Sequence, residues 1–176
     1  TTYVEEVRIA VRSNSSIGSI NDLKGKIVAT TGNTTTIGTL AKLNKNNAFK
    51  EVYGKDHADS FAMVEAGTAD AFVMDASILA ANISKAKVPS NYKIVGEVLS
   101  VEPIACMIAK NDPEFKEAVN SSIKRQIADG SLIKLYDTWF MQPVPPSNTK
   151  IGLPLSAATK AAWANPNNRP AESYQK

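Results

Sequence analysis

The chain has 176 residues, 43% of them apolar, and its 20 basic and 17 acidic side chains leave a net charge of +3. That is material for one globular domain or one and a fraction, not for a disordered chain. The basic residues are scattered, with no block beyond Lys124-Arg125, which gives nucleic-acid binding little support. One cysteine and one histidine exclude a disulfide framework and metal sites built from Cys or His clusters. No apolar run reaches membrane-spanning length and no signal peptide is present.

Tyr3 to Arg12 alternates, with Val7, Ile9 and Val11 on one side and Glu6, Arg8 and Arg12 on the other, which predicts a half-exposed strand. The chain opens directly into this pattern, so residues ahead of it are expected to have been removed. Ser19 to Gly25 reads as one helical turn with a Ser or Asn cap, stopped by Gly25. The apolar run Ile27-Val28-Ala29 predicts a buried strand at Lys26–Thr30, and Ile37, Leu40 and Ala41 recur at helical spacing after it, in a helix to about Asn46. Between them lies Thr30-Thr31-Gly32-Asn33-Thr34-Thr35-Thr36, a strand-to-helix turn rich in hydroxyls. Such a turn gathers backbone N–H groups and the positive end of a helix dipole, which suits a carboxylate or a phosphate. It can equally be a Thr-rich loop with a threonine N-cap. No Gly-Lys-Ser/Thr follows, so a phosphate-binding P-loop is not indicated.

Ala48–Tyr53 predicts the next strand, followed by a turn holding His57, a helix to Ala66 and a terminating Gly67. Ala71–Met74 is a short apolar strand ending at Asp75, and Ala76–Ala86 is a helix ended by Pro89. Tyr92–Val95 and Ile104–Ala109 complete the strands, and Cys106, inside the second of these runs, reads as a buried, inert thiol. Strands and helices alternate about every 20 residues, which implies an α/β fold, a mainly parallel sheet flanked by helices. Ligands in such sheets sit at strand C-termini, and the Thr turn, His57 and Asp75 all fall there. Taken singly, His57 reads as well as a cap or surface residue, and Asp75 as the N-cap of the next helix.

Asn111-Asp112-Pro113-Glu114 is a helix start, and Phe115, Ala118, Val119, Ser122, Ile123 and Ile127 form that helix's apolar face to Gly130. A further helix is predicted from Ser131 through Trp139. Six of the nine prolines lie beyond Gln142, so the tail reads as mostly extended, with one short helix between Ser156 and Trp163.

These residues resemble a known family. Asn21-Asp22-Leu23-Lys24-Gly25-Lys26, followed by a strand and a Gly/Thr turn, is similar to the second lobe of periplasmic amino-acid-binding proteins of ABC importers. Lys55-Asp56-His57-Ala58-Asp59-Ser60-Phe61, Phe72-Val73-Met74-Asp75 and Ala105-Cys106-Met107 resemble the glutamate/aspartate-binding branch. Asp112–Phe115, Trp139-Phe140 and Pro143-Val144-Pro145-Pro146 agree with it.

The resemblance implies the second lobe of a type II periplasmic-binding-protein fold. Residues 1–18 would be a first interlobe crossover, 19–100 the ligand-binding lobe, 101–112 a second crossover, and 113–176 C-terminal helices and tail left from the first lobe. It implies a free amino acid as ligand, glutamate or aspartate. Asp75 would hold its α-ammonium, Thr35 with neighbouring N–H groups its α-carboxylate, and His57 its side-chain carboxylate, while Thr31, Thr34 and Thr36 line the same turn. It further implies no cofactor, no metal and no catalysis, a membrane permease as partner, and the Gram-negative periplasm, reached by a signal peptide outside this chain. Family members carry most of the first lobe ahead of the residues matched here. Ligand binding by this chain alone is therefore expected to be weak, and its first-lobe-facing surface is expected to pair with a second copy. Two other classes stay open on the same fold: a dehydratase-like enzyme, with Asp75 as its one internal carboxylate, and a sensor domain.

Overall fold

The computed structural model describes residues 1–174. The chain divides into two compact units, one formed by Glu6–Ser100 and the other by Thr1–Glu5 with the chain from Val101 onward.

The first unit is built on a five-stranded sheet of order β3-β2-β4-β1-β5, from β1 (Tyr3–Arg12), β2 (Ile27–Thr31), β3 (Lys50–Gly54), β4 (Ala71–Asp75) and β5 (Tyr92–Ile104). β2 runs parallel to both β3 and β4, and β1 runs antiparallel to β4 with Val7 opposite Asp75 and Val11 opposite Ala71. Helices α1 (Thr35–Leu43) and α2 (His57–Ala66) connect the parallel strands, α3 (Ala76–Lys85) leads from β4 towards β5, and the three cover the sheet. Because successive strand residues point to opposite faces, the core forms as two layers. Val7, Ile9, Val11, Val28 and Val73 meet Leu40 of α1 on one face. Ala10, Ala29, Phe72 and Met74 meet Phe61 and Val64 of α2 and Leu79 of α3 on the other. The α/β architecture expected from the alternating pattern is present, as a mixed sheet flanked by helices.

Both layers reach β1, through Val7, Ile9 and Val11 on one face and Ala10 on the other, while on its polar side Glu6 and Arg8 are half-buried and Arg12 is exposed, as the alternation predicts. One correction concerns the run Ile104–Ala109, which is not a strand. β5 continues unbroken from Tyr92 to Ile104, and residues 105–109 have no regular structure. Without a strand beside it an apolar run gains no cover, so Met107 is 98% exposed. Cys106 is exposed, not buried.

Local chemistry fixes the helix ends. Asp56 caps α2 by accepting from Asp59 N, and the Asp59 carboxylate returns the bond to Lys55 N. Gly67, at φ 77°, ends that helix in the left-handed region. The Arg12 guanidinium donates to the carbonyls of Val64 and Glu65 there, meeting the negative end of the helix dipole with a cation.

The second unit is helical: α4 (Pro113–Ala128), α5 (Ser131–Tyr136), a π-helical turn over Asp137–Met141, and α6 (Ala157–Ala164). Asp112 caps α4 and Ser156 caps α6, each by accepting from the N–H three residues on. Its interior is aromatic. Tyr136 and Phe140 stack with centroids 4.4 Å apart and Tyr3 lies against both. Thr159 Oγ1 pairs with both Val4 N and Val4 O, and Trp163 Nε1 donates to Thr2 O. The predicted apolar face of α4 is only partly covered: none of its 16 residues is fully buried, Val119, Ser122, Ile123 and Ile127 are half-buried, and Phe115 and Ala118 are exposed.

Candidate functional site

β2, β3 and β4 are parallel, so their C-terminal ends lie along one edge of the sheet, at Thr31, Gly54 and Asp75. The Thr turn leaves β2 there. Gly32 N donates to Gly54 O, extending the strand pairing by one bond, and Asn33 takes φ 59°, a left-handed conformation that asparagine tolerates. Thr34 occupies the N-cap position of α1 but does not cap it: its hydroxyl turns back and donates to Thr31 O at 2.8 Å. α1 thus starts without a side-chain cap, and Thr35, the first helical residue, is exposed beside it. Thr36 faces the other way, fully buried, with Oγ1 3.7 Å from Met74 Sδ.

The next connection brings His57 to the same edge as the first residue of α2. Its Nδ1 lies 2.8 Å from Thr31 Oγ1, which in turn lies 2.9 Å from Ser60 Oγ. Ser60 is fully buried and donates to Asp56 O at 2.9 Å, with Thr30 O at 3.2 Å. Gly54 permits this seating: a Cβ there would sit 2.6 Å from Ser60 N and 2.9 Å from its Cα. His57 is half-buried. The sequence motif did not mark Ser60 as functional, although residues three apart on a helix share a face and His57 and Ser60 are so spaced.

Asp75 ends β4, two strands from β3. Thr30 Oγ1 donates to Val73 O at 3.0 Å, tying the ends of β2 and β4 together. Asp75 stands at the N-cap position of α3, half-buried, and makes no capping bond to that helix. Of the three helices that start at this edge, α2 alone has a side-chain cap. Thr31, Thr34 and His57 are joined directly, Thr35 follows at the start of α1, and Asp75 closes the neighbouring strand. An open groove of about 820 Å³ lies elsewhere, between α1 and β3, lined by residues including Ile37, Asn44, Phe49 and Tyr53 and by none of the six candidates. Among the described residues no group of His, Cys, Asp and Glu could hold a metal ion, and no helix is long and apolar enough to cross a membrane.

The arrangement offers free N–H groups and hydroxyls, an imidazole, and a carboxylate: complements for an anion, a second anion and a cation. Residues 4–126 match the family model described as the periplasmic substrate-binding protein of a phosphonate ABC transporter. The chain belongs to that substrate-binding family. The chain is 39% identical over 171 residues to the glutamate/aspartate import solute-binding protein of Salmonella typhimurium, covering 96% of this chain and 57% of that one. It is 37% identical to the protein of the same name in Escherichia coli, with the same coverage. It therefore spans a little over half the length of these relatives. In structure it is similar to the GluR0 ligand-binding core from Nostoc punctiforme in complex with L-glutamate, with a TM-score of 0.62, 30% identity, and coverage of 79% of this chain and 62% of that one.

Proposed function

We propose that this chain is the ligand-holding part of a periplasmic solute-binding protein that delivers glutamate or aspartate to the permease of an ABC importer. The observation that carries the reading is the meeting of three different groups at one sheet edge: the uncapped start of α1 with Thr34 and Thr35, the imidazole of His57, and the carboxylate of Asp75. An acidic amino acid needs that set, an acceptor for its ammonium and two donors for its carboxylates. In this reading Asp75 takes the α-ammonium, the N–H groups and hydroxyls at Thr34 and Thr35 take the α-carboxylate, and His57 meets the side-chain carboxylate. Thr31 and Thr36 shape the turn from behind, their hydroxyls engaged by neighbours. The names of the two bacterial relatives and the glutamate-bound structural neighbour support the ligand class.

Residues 19–100 are the ligand lobe in this assignment, 1–18 and 101–112 its crossovers, and 113–176 belong to a first lobe. The chain binds and releases its ligand unchanged: one carboxylate and one imidazole are a poor set for catalysis, and Thr31, the hydroxyl beside that imidazole, is buried and bonded to Ser60. The exposed apolar side chains of the second unit, Phe115, Ile133, Leu135 and Trp139, are covered by a second copy when the chain is alone in solution. Light scattering checks that pairing through a mass twice that of one chain.

Titration calorimetry with glutamate, aspartate and glutamine tests the ligand assignment. Glutamate or aspartate is expected to bind more tightly than glutamine. Asp75→Ala is expected to weaken binding, by about 3–5 kcal/mol in the two-lobe parent protein, where a closed cleft would leave the ammonium without its partner. Equal affinity for glutamate and glutamine overturns the role of His57, and an Asp75→Ala affinity within about twofold of the unsubstituted chain overturns that of Asp75.

A further inference from the structure

We propose that Thr31 and Ser60 are positioning residues that lock the neutral His57 ring in its Nδ1–H form and so leave Nε2 as the ring nitrogen that takes up the second proton and, as an imidazolium N–H, donates to a ligand carboxylate. The argument is one of counting protons. Ser60 Oγ has one proton and three oxygen neighbours: Asp56 O, Thr30 O and Thr31 Oγ1. The two carbonyls can only accept, so both contacts are attractive only if Ser60 gives its proton to them. Turned the other way, fully buried Ser60 Oγ would set lone pair against lone pair at 2.9 Å and 3.2 Å. Ser60 Oγ must therefore accept from Thr31.

Thr31 is itself buried and also has a single proton, now committed to Ser60. Its remaining contact, 2.8 Å from His57 Nδ1, is a hydrogen bond only if the ring nitrogen donates. The polarity of the whole chain is thus set at its buried end: His57 Nδ1–H to Thr31, Thr31 to Ser60, Ser60 to the backbone. The same bonds fix the ring's rotation, because Nδ1 is anchored to β2 while the backbone of His57 belongs to α2. Nε2 has no protein partner among the described residues, and the ring is half-buried. That a ligand is what Nε2 meets rests on the function proposed above; the proton order does not.

His57 is the only histidine in the sequence, so the imidazole nitrogen spectrum of the ¹⁵N-labelled chain reports this residue alone. In the free chain at alkaline pH, where the ring is neutral, Nδ1 is expected to show the protonated shift and Nε2 the unprotonated one. Thr31→Ser keeps that pattern. Thr31→Val removes the acceptor, and Ser60→Ala frees the Thr31 proton to turn towards the ring; each is expected to lower the ratio of Nδ1–H to Nε2–H about tenfold, the worth of one hydrogen bond. The two variants alter different elements, so loss of folding in one leaves the other as the test. A predominant Nε2–H ring in the unsubstituted chain, or an unchanged tautomer in the variant that folds, overturns the proposal. Added glutamate should shift Nε2 more than Nδ1. Silence of both nitrogens, with Nδ1–H intact, overturns the amino-acid reading and leaves the hydroxyl chain standing.

Discussion

The two units use apolar side chains in opposite ways. In the sheet unit, Phe72, Leu40, Leu79 and Val64 are all but fully buried, and three helices cover the two faces. In the helical unit α4 fully buries none of its residues, and Phe115 and Trp139 are 54% and 55% exposed. Similar residue types at helical spacing occur in both. The difference teaches that an amphipathic pattern declares a face that needs cover, while the cover itself comes from elsewhere in the chain or from another one.

The sharpest way to break this comparison is to make one substitution in both regions. Phe72→Ala should cost about 3–5 kcal/mol in chemical unfolding, transfer and cavity terms together. Phe115→Ala should stay within about 0.5 kcal/mol. Equal costs would mean that the exposed face of α4 is covered after all, and a concentration dependence of the Phe115 value would point to a second copy. A smaller effect sharpens the account of the sheet edge. Gly54→Ala forces a methyl into the first turn of α2 and should cost about 1–3 kcal/mol. It should also perturb the His57 nitrogen shifts, since Ser60 must move. A change in stability with an unchanged histidine spectrum would separate the packing of α2 from the seating of the ring.

The smallest effect lies at the exposed turn before β2. Asp22 accepts from Gly18 N, Ser19 N and Ser19 Oγ. Those bonds, that of Gly18 foremost, hold its carboxyl below the usual carboxylate range. A carboxyl depressed in the folded state adds stability above its unfolded pKa and loses it as pH falls through the folded one. Asp22→Asn should therefore lower the unfolding midpoint slightly at neutral and alkaline pH and leave it unchanged at the acid end, which flattens the acid limb. A large acid effect would show that this turn supports more of the sheet than its exposure suggests.

Much of the sheet unit was legible because its signals are local. The runs of β2 and β4, the glycine that ends α2, and the Asp112-Pro113 start of α4 each depend on neighbours within a turn of chain. β5 was misread because its length is set by pairing in the sheet and not by its own composition. Its middle, Gly96-Glu97-Val98, carries none of the apolar continuity that marked β2 and β4. The same blindness placed Cys106 in the interior. At the candidate site the sequence supplied the residue types and the edge, through Thr31, Thr34, Thr35, His57 and Asp75 at strand ends. It could not supply the hydrogen bonds among Thr31, His57 and Ser60, which join residues up to 29 positions apart across two elements. Nor could it show that Thr34 would leave α1 without its cap, because a threonine in that position reads as a cap by default.

The exposed thiol at Cys106 gives the chain a combining number of one. It is the only cysteine in the sequence and lies in a stretch with no regular structure. Oxidation can join two copies through it, and there the reaction stops, because the product has no thiol left for a third. A single maleimide dye would likewise attach at one known place.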